Sequence, residues 1–276
     1  MTERIVVGAG LSGLVAAINL RREGHEVRVL ERRDGVGGPA RDLHTGDLTY
    51  VMADGTPMEP EKLCRYTGID IAPACHPLRS IRVNSFGKTY RVDFPPNLPT
   101  FLVERGPRPT SLDSHLYHLA LEAGVEFEFN QPIRTKRDLD ELPPGTILAT
   151  GLSRDVFRAL EIPHIPAYGF LGQGLRGDLT RTPSVIVYME RHTWDYGFFS
   201  HVNVTGGALL FQRGKPLTAR SRSWFVDALA QEGLEFGSWH DVDLACLPTY
   251  SFRNPRLFHG KFILAGSLSG ALDPLL

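Results

Sequence analysis

Apolar residues along this chain switch between two periods, and each switch marks an element. "RIVV" at 4–7 is an apolar, β-branched run that stops at a glycine, which predicts a buried strand over Ile5–Val7. "LSGLVAAINLRRE" then carries its apolar residues at helical spacing and predicts a helix over Leu11–Glu23. "EVRVL" alternates again and predicts a second strand over Glu26–Leu30. The opening is thus a β-α-β unit. Further on, "FLVER" predicts a strand ending at Arg105. A Pro-rich connection leads from it to a helix from about Ser111 to Ala123, stopped at Gly124, and then to a strand in "VEFEF". "TILA" predicts a strand over Thr146–Ala149, with Ser153 as the N-cap of a short helix beyond it. A last strand over Ile263–Ala265 turns at Gly266.

Residues 164–259 have another texture. Aromatic, glycine and β-branched residues come in short runs, such as "SVIVYME" and "YGFFSHVNVTGGALLFQRG", with one helix expected around Ser221–Gln231. "SIRVNSF" and "KTYRVDF" alternate on either side of Gly87 and read as a hairpin of the same sheet. An antiparallel sheet inserted into an α/β domain has this signature.

Composition narrows the function classes. With 276 residues, 42% of them hydrophobic, the chain has material for a large core. Its 30 basic and 31 acidic residues leave a net charge of −1, so the totals carry no electrostatic footprint for nucleic acid. Three cysteines, Cys64, Cys75 and Cys246, form no C-x-x-C pair and read as reduced thiols of a cytoplasmic protein, with a Cys64–Cys75 redox disulfide left open. The apolar start resembles a signal peptide only superficially, and the pattern of glycines inside it argues otherwise. No window offers the roughly 18 uninterrupted apolar residues of a membrane span. No transmembrane segment is expected, and peripheral membrane contact stays compatible with the sequence.

The glycines at 8, 10 and 13 fit G-x-G-x-x-G between a strand and a helix. Gly8 permits the tight turn, Gly10 lets a pyrophosphate approach the backbone, and Gly13 lets helix pack closely on strand. The helix N-terminus then faces the phosphate charge. Glu31 ends the second strand eighteen positions after Gly13, where a carboxylate accepts hydrogen bonds from ribose hydroxyls. Candidate contacts are therefore Gly8, Ala9, Gly10, Leu11, Ser12 and Gly13, with Glu31 and Arg32. His115, His118 and Glu122 fall along one side of a helix but read as a solvated polar face, and no metal site is expected. No G-x-S-x-G or H-E-x-x-H motif is present.

"RRDGVGGPAR" after Glu31 brings Gly37 and Gly38 into a turn. With this second glycine pair the sequence resembles the glutathione-reductase-type FAD-binding fold, and the resemblance implies FAD rather than NAD as bound cofactor. The order strand, Arg105, helix, "AGVEFEF" is similar to geranylgeranyl reductases and their relatives, the p-hydroxybenzoate-hydroxylase-type monooxygenases. That likeness implies Arg105 beside the FAD, the Ile133 backbone facing adenine, and Thr150–Gly151 closing the segment. The hydroxylases usually carry Asp-Gly at the last position, so Thr150 favours the reductase branch. "WDYGFFS" resembles the aromatic motif of the reductases' isoprenoid tunnel, which makes Trp194, Tyr196 and Phe198 substrate candidates. Gly266 matches a glycine followed in those families by an Asp that holds the ribityl chain; here Ser267 takes its place.

The expected architecture is an α/β, glutathione-reductase-type (Rossmann-like) FAD-binding domain at 1–78, 101–163 and 260–276. An inserted antiparallel β-sheet substrate domain is expected at 79–100 and 164–259. The expected activity is FAD-dependent hydride transfer to a double bond of a hydrophobic small-molecule substrate, isoprenoids included, with NAD(P)H as a candidate electron donor. Tyr196 and water are the candidate proton sources. A flavin monooxygenase is the alternative enzyme; a non-catalytic relative resembling Rab GDP-dissociation inhibitors is the alternative outside enzymes. In the resembled families a helix follows Asp273–Pro274, so the resemblance also implies a shortened, split or degenerate member.

Overall fold

In the computed structural model the chain runs β1 (Glu3–Val7), α1 (Leu11–Arg22), β2 (Glu26–Leu30), β3 (Met52–Thr56), α2 (Pro60–Thr67), β4 (Cys75–Leu78), β5 (Ser80–Ser85) and β6 (Lys88–Asp93). It continues through β7 (Thr100–Arg105), α3 (Leu112–Glu122), β8 (Glu126–Glu128), α4 (Lys136–Asp140), β9 (Ile147–Leu148), α5 (Arg154–Ala159), β10 (Ile165–Arg176) and β11 (Ser184–Met189). β12 (Tyr196–Val202), β13 (Thr205–Arg213), α6 (Ala219–Gln231), β14 (Glu235–Cys246), β15 (Phe258–His259) and β16 (Phe262–Leu264) complete it. The structure describes residues 3–37, 52–56, 59–176, 184–190, 196–202, 205–246 and 254–271. Among them no helix is long and apolar enough to cross a membrane.

The chain divides into two units, residues 1–40, 113–166 and 244–276, and residues 41–112 and 167–243. The first holds a sheet in the order β15-β16-β9-β1-β2-β8. Its strands from β16 to β8 pair in parallel, the arrangement that β-α-β connections impose. Ile5, Val7, Leu148 and Leu264 meet Phe157 and Leu160 of the α5 segment on one face. Strand alternation turns Val6 and Val29 the other way, and α1 brings buried Leu14, Ala17 and Ile18. Thr135 opens α4 with a capping box: its hydroxyl accepts from Asp138 N–H, and the Asp138 carboxylate accepts from Thr135 N–H at 2.9 Å.

The second unit holds a sheet in the order β14-β10-β13-β12-β11-β5-β6 and a smaller sheet, β3-β7-β4. α6 starts at Thr218, whose hydroxyl accepts from Ser221 N–H at 3.1 Å, and buries Phe225 and Leu229 against Tyr188, Phe199 and Leu210. The β5–β6 hairpin turns at Phe86–Gly87, both with positive φ, the backbone of the two-residue turns that match strand twist.

The observed units and the expected domains divide the chain differently. The sequence reading groups residues 41–78 and 101–112 with the nucleotide half and 244–259 with the sheet half. β7 is buried along nearly its whole length and reads like a parallel strand, but it pairs antiparallel with β3 and β4. At the other boundary, Ala245 N–H donates to Leu152 O at 3.0 Å and Arg154 Nε to Leu244 O at 3.2 Å, which fastens the end of β14 to the first unit.

Candidate functional site

The turn between β1 and α1 is built by close approach. Gly8 N–H donates to Leu30 O, and Ala149 N–H to Val7 O, both at 2.8 Å, so β1 is held between β2 and β9 as the chain leaves it. Gly8 has φ +102, and a Cβ there would stand 2.5 Å from Ala149 O. A Cβ on Gly13 would run into the Gly8 carbonyl. Neither position has room for a side chain. Gly10 is the opposite case: its backbone is ordinary, φ −81 and ψ 178, and a Cβ there would meet no atom within 4 Å.

Gly10 is also the N-cap of α1, with no capping side chain and no acidic residue in the first turn. The first amides of a helix have no intrahelical acceptor, and the helix dipole puts partial positive charge at that end. The arrangement is open, electropositive and backbone-lined, as an anionic group requires.

Glu31, 9% exposed, stands beside this turn. Its Oε2 accepts from Ala9 N–H at 2.8 Å and its Oε1 from Arg33 N–H at 3.0 Å. A carboxylate oxygen has a second lone pair, so Glu31 braces the loop and keeps accepting capacity for a hydroxyl. β8 fixes its backbone: Glu31 N–H donates to Glu128 O at 2.9 Å and Gln131 N–H to Glu31 O at 2.8 Å.

Two further segments meet the loop. Thr150 follows Ala149, and its Oγ1 is buried with no hydrogen-bond partner among the described residues. A buried hydroxyl without a partner costs about 1–3 kcal/mol, so a ligand that supplies one recovers it. Gly266, at φ +60, sits against Ser12: a Cβ there would strike the Ser12 hydroxyl. Ala265 N–H reaches Leu148 O at 2.9 Å, which places this turn beside β9. Gly8, Gly13, Glu31, Thr150 and Gly266 are thus gathered from four stretches of sequence. Ser267 lies in the short 3-10 turn that follows, and Gly37 in the turn after β2.

The remaining candidates belong to other elements. The Ile133 side chain packs against the core of the first unit. Arg105 ends β7 in the second unit, next to Glu104, whose carboxylate is fully buried. Thr110 Oγ1 donates to Glu104 at 2.6 Å and Arg108 Nε forms an ion pair with it at 2.8 Å. The sequence reading passes over Glu104; its one signal is a carboxylate in a buried strand with a basic residue four positions on. Tyr196 and Phe198 lie on the β12 face away from α6, since Gly197 meets Phe225 and Phe199 joins the α6 core. Their rings stack at 6.1 Å. Trp194 and Gly38 lie outside the described residues.

Comparison with known proteins agrees with this geometry. Residues 6–56 match the NAD(P)-binding Rossmann-like domain. Over 164 residues, 55% of this chain and 34% of the relative, the sequence is 34% identical to a Mycobacterium tuberculosis protein named as the candidate flavin-containing monoamine oxidase AofH. A geranylgeranyl bacteriochlorophyll reductase-like protein of Thermoplasma acidophilum superposes over 99% of this chain and 72% of its own, with a TM-score of 0.68 at 14% identity. CtdE, solved with FAD and a substrate, superposes over 98% and 74%, with a TM-score of 0.62 at 13% identity. The chain has the Rossmann-like flavoprotein fold. It carries the separate, mostly antiparallel sheet of those structures. It spans about a third of the length of the curated relative above.

Proposed function

We propose that this chain binds FAD through its first unit and acts as an FAD-dependent oxidoreductase on an apolar small molecule. The observation that carries the reading is the open ground over Gly10, bounded by the crowded Gly8 and Gly13 and braced by the Glu31 carboxylate. The residues fit a dinucleotide. Gly10 and the first turn of α1 would receive the pyrophosphate, Glu31 a ribose hydroxyl, and the orphan Thr150 hydroxyl a polar group of the same cofactor. Ser267 would offer the ribityl chain one hydrogen bond in place of a carboxylate.

A flavin, when bound, carries the hydride, and the protein supplies binding, orientation and electrostatics. That division of labour suits a chain with a strong nucleotide-binding turn and no nucleophile motif. The substrate side of the proposal rests on the second unit, where half-buried Tyr196 and Phe198 stack on the sheet face opposite α6. Such a face favours hydrophobic molecules, isoprenoid chains included, and reduction of a double bond is the reaction assigned to it, with NAD(P)H as electron donor.

The full chain, purified, incubated with FAD and freed of excess, is expected to show flavin absorption bands and to bleach anaerobically with NAD(P)H. A colourless chain that takes up no added FAD refutes the cofactor assignment. Oxygen consumption coupled to ring hydroxylation, with no double-bond reduction, would replace the reductase reading with the monooxygenase one.

A further inference from the structure

Cys64 and Cys75 have no part in the nucleotide site. Cys64 lies in α2, and Cys75 opens β4. Between them the chain leaves the helix at the left-handed Gly68 and doubles back through a 3-10 turn, Ala72–Ala74. Both thiols are free and half-buried. They meet at one residue: Ile71 N–H donates to Cys64 Sγ at 3.4 Å, and Cys75 Sγ donates to Ile71 O at 3.3 Å.

Their surroundings divide the roles. Cys64 Sγ accepts from the Ile71 backbone N–H and donates to Asp70 Oδ1 at 3.6 Å. The Cys75 proton is held on a carbonyl. Burial, followed by the charges of Cys64, Asp70 and Glu61, pushes that thiol up to about 12. Cys64 is therefore the attacking sulfur and Cys75 the resolving one.

We propose that Cys64 and Cys75 form a redox-active dithiol, which a hydroperoxide converts into an intramolecular disulfide. In the first step the Cys64 sulfur attacks the peroxide; an S–O bond forms, the O–O bond breaks, and the Cys64 proton leaves with the departing alkoxide as an alcohol. In the second step the Cys75 sulfur attacks the Cys64 sulfenic acid; an S–S bond forms, the S–O bond breaks, and the Cys75 proton leaves with the hydroxyl as water. Two thiols lose two electrons and the hydroperoxide gains them. The bond would tie α2 to β4, and through the Cys75–Val103 pairing to β7.

The test treats the full chain with one equivalent of hydrogen peroxide and maps its peptides without reductant. Trypsin cuts after Arg65, between the two cysteines, so the expected product is the Leu63–Arg65 peptide linked to Tyr66–Arg79, lighter by two hydrogens and separated by dithiothreitol. Cys64→Ser is expected to abolish the link. Cys75→Ser is expected to leave a Cys64 sulfenic acid that dimedone traps. The wild-type map stands whether or not these variants fold. Thiols that survive peroxide, links that run through Cys246, or Cys64 passing to sulfinic acid without a link would each overturn the proposal.

Discussion

Substituting Gly10 by Ala separates binding from folding. The backbone there is extended at φ −81, a conformation alanine adopts without strain. The added methyl meets nothing within 4 Å, so no packing is lost or crowded. Two small effects on the empty protein oppose each other. Alanine narrows the unfolded ensemble, which stabilises by about 0.4–1 kcal/mol. It is a poorer N-cap than glycine by a comparable few tenths to about 1 kcal/mol. The net is about 0.5 kcal/mol or less, and Tm should move by no more than about 2 °C. Cofactor binding behaves differently, because the methyl occupies the ground on which the pyrophosphate would rest. Crowding of this kind costs about 1–3 kcal/mol, or roughly 5- to 150-fold in Kd. Gly13→Ala supplies the contrast: its methyl would collide with the Gly8 carbonyl, so the fold itself should lose about 1–3 kcal/mol. Thermal unfolding of the apoprotein and FAD titration followed by flavin fluorescence measure the two quantities. A Gly10→Ala protein that binds FAD as tightly as the parent would refute the placement of the cofactor on this turn.

Three more outcomes are expected. Glu31→Gln leaves one of the Ala9 and Arg33 amides without its acceptor, at a cost of about 1–3 kcal/mol; both Tm and FAD affinity should fall, and a change in neither would dismiss the bracing role. Tyr188→Phe removes a buried hydroxyl that has no hydrogen-bond partner among the described residues while keeping the ring against Phe225 at 5.7 Å, so Tm should rise by roughly 2–4 °C for each kcal/mol recovered. Burial holds His76 below its ordinary value of 6.5, against the opposing pull of Glu104. The unfolded chain then binds the proton first, so this contribution is present above pH 6.5 and is lost as pH falls through the folded value. His76→Gln should flatten that part of the Tm-against-pH curve, and an unchanged slope would reject the assignment.

The elements most legible in the sequence are those whose pattern depends on neighbours close along the chain. The strand over Glu26–Leu30 falls where its alternation puts it, and the hairpin around Gly87 joins the larger sheet as expected. The Gly8 and Gly13 spacing carries its packing roles into the structure, because each is a contact within the same short turn or with the adjacent strand. Sheet partnership was not legible. The run Phe101–Val103 is apolar whichever sheet it enters, and its antiparallel partners come from stretches before and after α2. The same limit hid Glu104: strand periodicity says nothing of an acceptor for Thr110 and Arg108 inside a loop. Thr150 was visible only as a departure from Asp; that its hydroxyl is buried and orphaned depends on packing that no spacing encodes.

β9 is two residues long, yet β1 lies on one side of it and β16 on the other. The turn that follows β1 therefore has its floor, Ala149, in the middle of the chain and its Gly266 wall near residue 270. Sequence separation of this size makes contacts slow to form, because the loop between them must close before they reward it. During synthesis the β1-α1-β2 unit emerges before Ala149 and Gly266, so the cradle has no walls until both have followed. Capture of the proposed cofactor would in this way wait for the late contacts, and the bound nucleotide would act as a clasp on the assembled unit rather than as a template for its first elements.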